Sequence, residues 1–319
     1  MSYAISPRTP EGARAVLAAA DLIEPFRERA DAADRANEMC VENYADMQRS
    51  GVAASFVPEE LGGFGLQSMH DWNLIIATLA RGDGSAAIAI SMHLSATRGL
   101  AAVYRSNEPG SPPHSRAKRL LEAIAKREML ICSTTTERGT DNLHPFSEAV
   151  ETDEGWRLNG TKHFVTMSPL ATHIATNLRM RDGDGDHIVN VLFALDTPGI
   201  RPHGDWDALG MRASGSQSVS FESCLVPLDG LRKIGSWGQW SIPVLVNRTL
   251  ANVPLVAAFL GIAEAAFEIG LDAQKTVGDA SSRPGVPNAL AEMEILLSTS
   301  RSILAQLGQQ LDRFMETTN

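Results

Sequence analysis

Cysteine is scarce in this chain, whose 319 residues include three, Cys40, Cys132 and Cys224. The count is odd, and no two of them have the spacing of a redox motif or a metal site, so we do not expect a disulfide framework. The carboxylates of 182–186 resemble the beginning of a calcium loop, but His187 stands where that loop needs a glycine. We therefore predict no metal site, and a reducing compartment, the cytoplasm.

An excess of basic residues and a long apolar stretch are also missing. The 28 basic side chains face 38 acidic ones, a formal net charge of −10 that disfavours nucleic acid as a partner. The longest stretches without Asp, Glu, Lys or Arg are His163–Leu178 and Thr249–Ala263, shorter than the ~20 residues of a membrane span. The N-terminus lacks the pattern of a secretory signal. We expect a globular protein with neither a membrane nor a nucleic acid as partner.

Two helical zones surround a zone of short strands. In the first zone, apolar residues recur every three or four positions, as in Met69–Arg81. In the middle zone, β-branched runs are separated by turn pairs such as Asn159-Gly160, which favour hairpins. Helical spacing returns in segments such as Val253–Ala273. We predict an α+β fold with an N-terminal helical domain (1–128), a central antiparallel β domain (129–233) and a C-terminal helical bundle (234–319).

Hydroxyl side chains cluster in the β zone. Residues 132–141 read Cys-Ser-Thr-Thr-Thr-Glu-Arg-Gly-Thr-Asp, for which an exposed strand end is the simplest interpretation. In a second segment Phe164 comes two positions before Thr166, which would place both on one strand face. A third segment, 209–216, reads Leu-Gly-Met-Arg-Ala-Ser-Gly-Ser and precedes another strand.

Together, and in this order, the segments resemble motifs of the acyl-CoA dehydrogenase family of flavoproteins. Gly139-Thr140-Asp141 takes the place of that family's Gly-Ser-Asp, and Phe164-Val165-Thr166 takes the place of its Trp-Ile-Thr. The 209–216 segment is close to the family's wording, and 57–65, Val-Pro-Glu-Glu-Leu-Gly-Gly-Phe-Gly, looks like its N-terminal signature. The resemblance covers nearly the whole chain. It implies the same order of three domains, FAD as cofactor, and homodimers or homotetramers.

The resemblance also implies a flavin site between the β domain and the C-terminal helices. In its register Thr134 bonds the pyrimidine edge of the isoalloxazine ring, Thr166 lies beside N5, and Phe164 covers the ring. The implied cofactor-binding residues are Ser133, Thr134, Gly139, Thr140, Phe164, Val165 and Thr166. The implied reaction is α,β-dehydrogenation of an acyl-CoA in fatty acid metabolism. Hydride would pass to flavin N5, and the electrons to an electron-transfer flavoprotein or another acceptor.

The family's catalytic base has no counterpart in this chain. It is a glutamate either at the position of Ala251 or in a segment that would follow Asn319, so we name no base and expect the chain to be incomplete. The family's Arg-Lys-x-Phe-Gly motif, which reaches the FAD pyrophosphate, is replaced in 275–285. There Arg283 could supply the charge or be a solvated loop residue.

His93 keeps a second function open. In the related flavin monooxygenases, such as the dibenzothiophene monooxygenase group, the glutamate is absent and a histidine on this helix lies in the substrate pocket. Those enzymes take reduced flavin, which could be FMN, from a partner reductase and react it with oxygen. A core histidine is the other interpretation of His93. A non-catalytic remnant that binds acyl-CoA or a partner chain is the third function we consider.

Overall fold

The computed structural model describes residues 5–276 and 285–318, and it has the predicted order of helices, strands and helices. The first helices are α1 (Pro10–Ala20), α2 (Ile23–Ala36), α3 (Val41–Arg49), α4 (Met69–Ala80), α5 (Gly84–Ser106) and α6 (Pro112–Ala125). The strands are β1 (Ile131–Thr134), β2 (Glu148–Thr152), β3 (Gly155–Val165), β4 (His173–Asp182), β5 (Gly185–Ala194), β6 (Ile200–Pro202), β7 (Gln217–Val226) and β8 (Leu231–Ser236). Two long helices follow, α7 (Ile242–Thr276) and α8 (Gly285–Thr318). The predicted α+β class is confirmed.

Side-chain caps explain where several helices begin. Thr9 accepts a hydrogen bond from the Gly12 N–H ahead of α1, and Ser68 accepts one from the Asp71 N–H ahead of α4. Asp83 accepts from two N–H groups in the first turn of α5. Each cap satisfies N–H groups that the helix itself leaves unpaired.

The β domain is a single mixed sheet. Its strand order is β6-β7-β3-β2-β4-β5-β8, and β1 pairs with β4 outside this path. The β1–β4 and β2–β4 pairs are parallel, whereas the other pairs are antiparallel as predicted. The strand β8 ends at Ser236, beyond the predicted domain limit of 233. The ends of β1 and β3, which carry the first two hydroxyl segments, lie close enough to share hydrogen bonds.

Close backbone contacts join the C-terminal helices to the N-terminal domain. A Cβ added to Gly261 of α7 would lie 2.1 Å from the carbonyl oxygen of Ala77 in α4. A Cβ on Gly308 of α8 would lie 2.6 Å from the Cα of His70, also in α4. Both glycines therefore allow a helix approach that any larger side chain would prevent.

In the described part of the chain, two helices are long and apolar enough to cross a membrane by length and composition alone, Gly84–Ser106 and the stretch Val244–Gln274. Half of the most apolar window in Gly84–Ser106 is buried inside the protein, as is 39% of the window in the second. Helices of a buried core meet the same criterion, so the finding carries little weight for a membrane.

All three cysteines are free thiols. Cys132 and Cys224 are buried, and burial raises the pKa of both. Cys40 is partly exposed just before α3. Its neighbour Met39 packs against Gly215, where a Cβ would lie 2.4 Å from the Met39 sulfur.

Candidate flavin site

Phe164 lies in a β-bulge at the end of β3. The pairing of β3 with β7 shifts register between Lys162 and Val165, and Phe164 has a φ of +52°. This backbone conformation is unfavourable for an aromatic residue and persists only where the surroundings enforce it, which is typical of functional sites. The bulge leaves Phe164 55% exposed. The ring of Trp206 packs against it edge to face, with the two ring centroids 5.9 Å apart. The simple alternation from which we placed Phe164 and Thr166 on one face does not hold, because Thr166 lies past the strand and is buried.

Three buried hydroxyls form a chain that begins at Thr166. Thr166 Oγ1 lies 2.9 Å from Ser216 Oγ, which lies 2.7 Å from Ser214 Oγ. All three residues are less than a tenth exposed. Ser214 and Ser216 belong to the third motif segment, so the structure brings the second and third segments together. The chain leads from the end of β3 to the short turn that packs against α5.

Thr134 ends β1, and its hydroxyl is used within the protein. Its Oγ1 donates to the His163 carbonyl oxygen at 2.7 Å and accepts from the Thr136 N–H at 3.2 Å. A hydroxyl has one proton and two lone pairs, so one lone pair remains for a ring N–H such as flavin N3–H. Ser133 precedes it in β1 and is half-buried.

Gly139 and Thr140 lie in the loop between β1 and β2, which we call the 135–147 loop. Gly139 has a φ of +78°, and no other group lies within 4 Å of the position of a Cβ there, so its backbone is open to a ligand. The Thr140 hydroxyl donates to the His144 carbonyl oxygen. Glu137 is buried and forms an ion pair with the buried Lys162 of β3.

These groups fit a flavin. An isoalloxazine has flat apolar faces and polar atoms along one edge. The exposed ring of Phe164 offers a flat apolar surface, and the free lone pair of Thr134 and the hydroxyl of Thr166 lie at the ends of the two adjacent segments. Hydrogen-bond donors near N1 and O2 or N5 stabilise the charge that reduction puts on the ring. When bound, a flavin would supply the redox chemistry that these side chains lack.

A second polar chain, which the sequence motifs did not indicate, lies beside Phe164. His163 Nδ1 lies 2.8 Å from Ser218 Oγ, and the Ser218 N–H donates to the Asp205 carboxylate at 2.7 Å. Partial burial and the nearby Arg138 charge lower the pKa of His163. The alternating serines of β7 were the available signal, because Ser218 and Ser220 share one face of that strand.

His93 is fully buried in α5, and both its ring nitrogens have partners. Nε2 lies 2.9 Å from the Ala53 carbonyl oxygen, and Nδ1 lies 3.1 Å from the Ile131 amide nitrogen. Burial lowers the pKa of His93 to about 4, so the ring is neutral, donating from Nε2 and accepting at Nδ1. This geometry is that of the core histidine, and it leaves no ring nitrogen for a substrate.

The region expected to hold the dehydrogenase base offers no titratable atom at the predicted position. Ala251 lies in α7 and is partly buried. Within 5–276 and 285–318, no group of three or more His, Cys, Asp or Glu side chains could hold a metal ion. Arg283 lies outside the described residues.

Two family models match this chain in the same regions. The acyl-CoA dehydrogenase N-terminal domain matches residues 14–106, and the acyl-CoA dehydrogenase middle domain matches residues 131–224. The fold and the site define a flavin-dependent oxidoreductase. The chain belongs to the acyl-CoA dehydrogenase superfamily.

Two relatives of this chain with more than 30% identity are named as nitrososynthases and not as dehydrogenases. The amino sugar nitrososynthase DnmZ of Streptomyces peucetius is 31% identical over 316 residues, which are 97% of this chain and 75% of that protein. L-evernosamine nitrososynthase of Micromonospora sp. is 33% identical over 285 residues, which are 89% of this chain and 65% of that protein. The chain thus spans about two thirds to three quarters of their lengths.

A solved structure shows a similar fold with ligands bound. KijD3 in complex with FMN and dTDP-3-amino-2,3,6-trideoxy-4-keto-3-methyl-D-glucose superposes with a TM-score of 0.86 at 26% identity. The match covers 97% of this chain and 74% of KijD3. The comparisons favour the monooxygenase alternative over acyl-CoA dehydrogenation, which they do not confirm.

Proposed function

We propose that this protein is an FMN-dependent monooxygenase that oxidises the primary amine of an amino sugar nucleotide, using reduced flavin supplied by a separate reductase. The observation that carries the proposal is the similarity to an amino sugar nitrososynthase over 97% of the chain. The alanine at position 251 supports it, because an N-oxygenation does not need the glutamate that a dehydrogenase uses to remove an α-proton. Of the three functions considered from the sequence, this proposal is a particular case of the second, the two-component flavin monooxygenase.

The reaction balances with oxygen and reduced flavin as the co-reactants. One O₂ and one reduced FMN convert the amine to a hydroxylamine, giving one water and oxidised FMN. A second O₂ and a second reduced FMN convert the hydroxylamine to a nitroso group, giving two waters. Bound reduced FMN would supply the electrons that activate oxygen.

The chain's own residues would orient the flavin and exclude water. Phe164 would cover one face of the ring, which limits access of water and unproductive loss of oxidant. Thr166 would hold the edge at N5 through its place in the hydroxyl chain. The backbone near Gly139 would accommodate the polar part of the cofactor.

The test is turnover with chemically or enzymatically reduced FMN under air. We expect a dTDP-linked 3-amino sugar to gain 16 mass units and then to form the nitroso product, while the same sugar with hydroxyl in place of amine stays unchanged. Dibenzothiophene is the comparison substrate, because oxidation of its sulfur instead would point to the sulfur-oxidising monooxygenases. If no amine yields an oxygenated product in the presence of reduced FMN, the proposal is contradicted.

A second measurement separates this function from acyl-CoA dehydrogenation. Anaerobic mixing of the oxidised flavoprotein with a panel of acyl-CoAs bleaches a dehydrogenase flavin, and we expect no bleaching here. Bleaching of the flavin without added reductant would favour acyl-CoA dehydrogenation, the function that passes the electrons to an electron-transfer flavoprotein or another acceptor. FAD is tested beside FMN, because the superfamily assignment leaves the flavin's identity open. A non-catalytic remnant would show neither reaction.

The proposal includes a homo-oligomer in the cytoplasm. Large apolar side chains on α7 and α8 are more than half exposed, among them Phe259, Ile269, Leu296 and Ile303. Such a surface is typical of one that another chain covers, and we propose a second copy. Light scattering would give a dimer or tetramer mass, whereas a monomer at micromolar concentration would contradict this assignment.

A further inference from the structure

The buried ion pair between Glu137 and Lys162 joins the two backbone segments of the candidate flavin site. Lys162 lies in β3, two residues before Phe164, and its side chain is completely buried. Its ammonium contacts Glu137 Oε1, and the Glu137 side chain is 4% exposed. Among the described residues, no other carboxylate forms an ion pair with Lys162.

The same carboxylate also closes the 135–147 loop. Glu137 Oε2 accepts the Phe146 N–H at 2.7 Å, and both carboxylate oxygens lie within 3.2 Å of the Ser147 nitrogen. One buried group therefore holds the beginning of the loop, its end and the strand that bears Phe164. Gly139 and Thr140 lie inside the segment that it closes.

Stability alone does not explain a charged pair at this place. The desolvation of two ions offsets much of their attraction, and well-packed neutral residues of similar volume are often as stable or more so. A strained residue such as Phe164, by contrast, needs surroundings that enforce its backbone conformation. Charged hydrogen bonds are short and directional, and so they suit the fixing of one segment against another.

We propose that Glu137 and Lys162 are positioning residues that fix the 135–147 loop against β3, so that the flavin cleft is formed before the cofactor binds. This inference rests on the proposed flavin cleft. In this role neither side chain contacts the substrate or the reacting atoms of the flavin. It sets the separation between the open backbone at Gly139 and the ring of Phe164.

The decisive variant is the neutral double substitution Lys162→Met with Glu137→Gln. It leaves no unpaired charge, so we expect its Tm to match or exceed that of the wild type. Lys162→Met alone leaves a buried carboxylate without its partner and should lower the Tm clearly. If that single variant fails to fold, the double variant still carries the test.

Two readouts report positioning separately from stability. In the protein without flavin, we expect the backbone amides of 138–147 to exchange hydrogen about tenfold faster in the double variant, because the loop opens more often. We also expect about tenfold weaker FMN binding, which corresponds to ~1.4 kcal/mol, and a changed visible spectrum of the bound flavin.

The control is the exposed ion pair between Glu154 and Arg157, which lies at the beginning of the same strand with its charged atoms 2.7 Å apart. Glu154→Gln with Arg157→Met should leave loop exchange and FMN binding unchanged. Wild-type exchange and wild-type FMN affinity in the Lys162/Glu137 double variant would overturn the inference. If the wild type itself binds no flavin, the proposed function fails, and the exchange measurement still decides whether the pair orders the loop.

Discussion

At the scale of single residues, the direction of the hydrogen bonds in the Thr166–Ser216–Ser214 chain decides what Thr166 can donate. Each hydroxyl has one proton, and Ser214 is the innermost member, 1% exposed. If Ser214 donates to Ser216, and Ser216 to Thr166, every inner proton has an acceptor. The Thr166 proton then has only the Phe164 carbonyl oxygen at 3.4 Å, a long contact. With this direction of donation, Thr166 is left as a donor for a ligand such as oxidised flavin at N5.

Ser216→Ala should weaken the binding of oxidised FMN by about two- to tenfold, since one hydrogen bond contributes ~0.5–1.5 kcal/mol. The substitution removes the group that orients Thr166. Ser168→Ala is the matched control, because Ser168 is buried nearby but donates to the Gly215 carbonyl oxygen at 3.3 Å, outside the chain. Fluorescence titration of FMN measures both. Equal affinities for the two variants would mean that the chain has no part in flavin binding.

His93 makes the stability of the protein depend on pH. Its pKa is about 4 in the folded chain, below the ordinary value of 6.5, because burial disfavours the charged ring. The unfolded chain thus binds a proton that the folded chain does not, between pH 6.5 and 4. The contribution of the buried neutral His93 ring to the free energy of unfolding is present in full above pH 6.5, and it is lost as the pH falls from 6.5 to 4.

His93→Gln should remove this component of the pH dependence, because Gln retains a donor for Ala53 and an acceptor for Ile131 but does not titrate. We expect the difference in free energy of unfolding between pH 7 and pH 5 to shrink relative to the wild type. Denaturant titration at both pH values measures it. His93→Leu, which leaves both backbone groups unpaired, should cost ~1–3 kcal/mol at pH 7. A variant with unchanged pH dependence would contradict the neutral, doubly bonded ring.

At the scale of elements, the bulge at the end of β3 carries strain and places an aromatic ring in solvent. Both costs are explained if the ring covers a cofactor. Phe164→Gly should therefore hold or raise the Tm, since glycine accepts a φ of +52° without strain of ~1–3 kcal/mol. The same change should expose the bound flavin, which iodide quenching of its fluorescence would detect.

Phe164→Leu separates the two effects. Leucine keeps an apolar side chain and the strained backbone, so the Tm should not rise, while shielding should be partly kept. A Tm that falls with Gly and holds with Leu would mean that the ring stabilises the fold, and it would remove the strain argument.

The sequence predicted the elements better than their pairing. A cap such as Ser68 is a local signal, and the structure has the helix that it indicated. The turn predicted at Asn159-Gly160 is wrong, because this pair lies inside β3, where the pairing with β7 shifts register between Leu158 and Gly160. The parallel pairing of β1 with β4 joins Ile131 to His173, more than forty residues apart, and no local turn specifies it. The same limit applies to the site. The motifs predicted which segments meet, but the bulge at Phe164 and the use of the Thr134 hydroxyl depend on contacts across the sheet.

At the scale of the whole molecule, α4 serves as the surface on which both C-terminal helices dock. Gly261 and Gly308 let α7 and α8 approach its backbone, one near Ala77 and the other near His70. Contacts with α4 therefore help to fix where both C-terminal helices lie.

Gly261→Ala should destabilise the protein by ~1–3 kcal/mol, although alanine favours a helix, because the added methyl would lie 2.1 Å from the Ala77 carbonyl oxygen. Gly270→Ala is the matched control in α7, where a Cβ would meet only Leu290, at 3.9 Å. That variant should gain ~0.5–1 kcal/mol. Thermal and denaturant unfolding measure both. A stabilised Gly261→Ala would show that α7 does not dock on α4 in this way.

The partly exposed thiol next to Met39 offers a direct optical probe of the proposed site. Cys132 and Cys224 are shielded from reagents, so a maleimide dye under mild conditions should attach at Cys40 alone. The side chain of Met39 contacts Gly215, which lies between Ser214 and Ser216 in the sequence. The dye on Cys40 would therefore be attached next to a residue that contacts the backbone of the hydroxyl chain. Its emission could then follow cofactor arrival and departure during turnover, with no engineered label site in the protein.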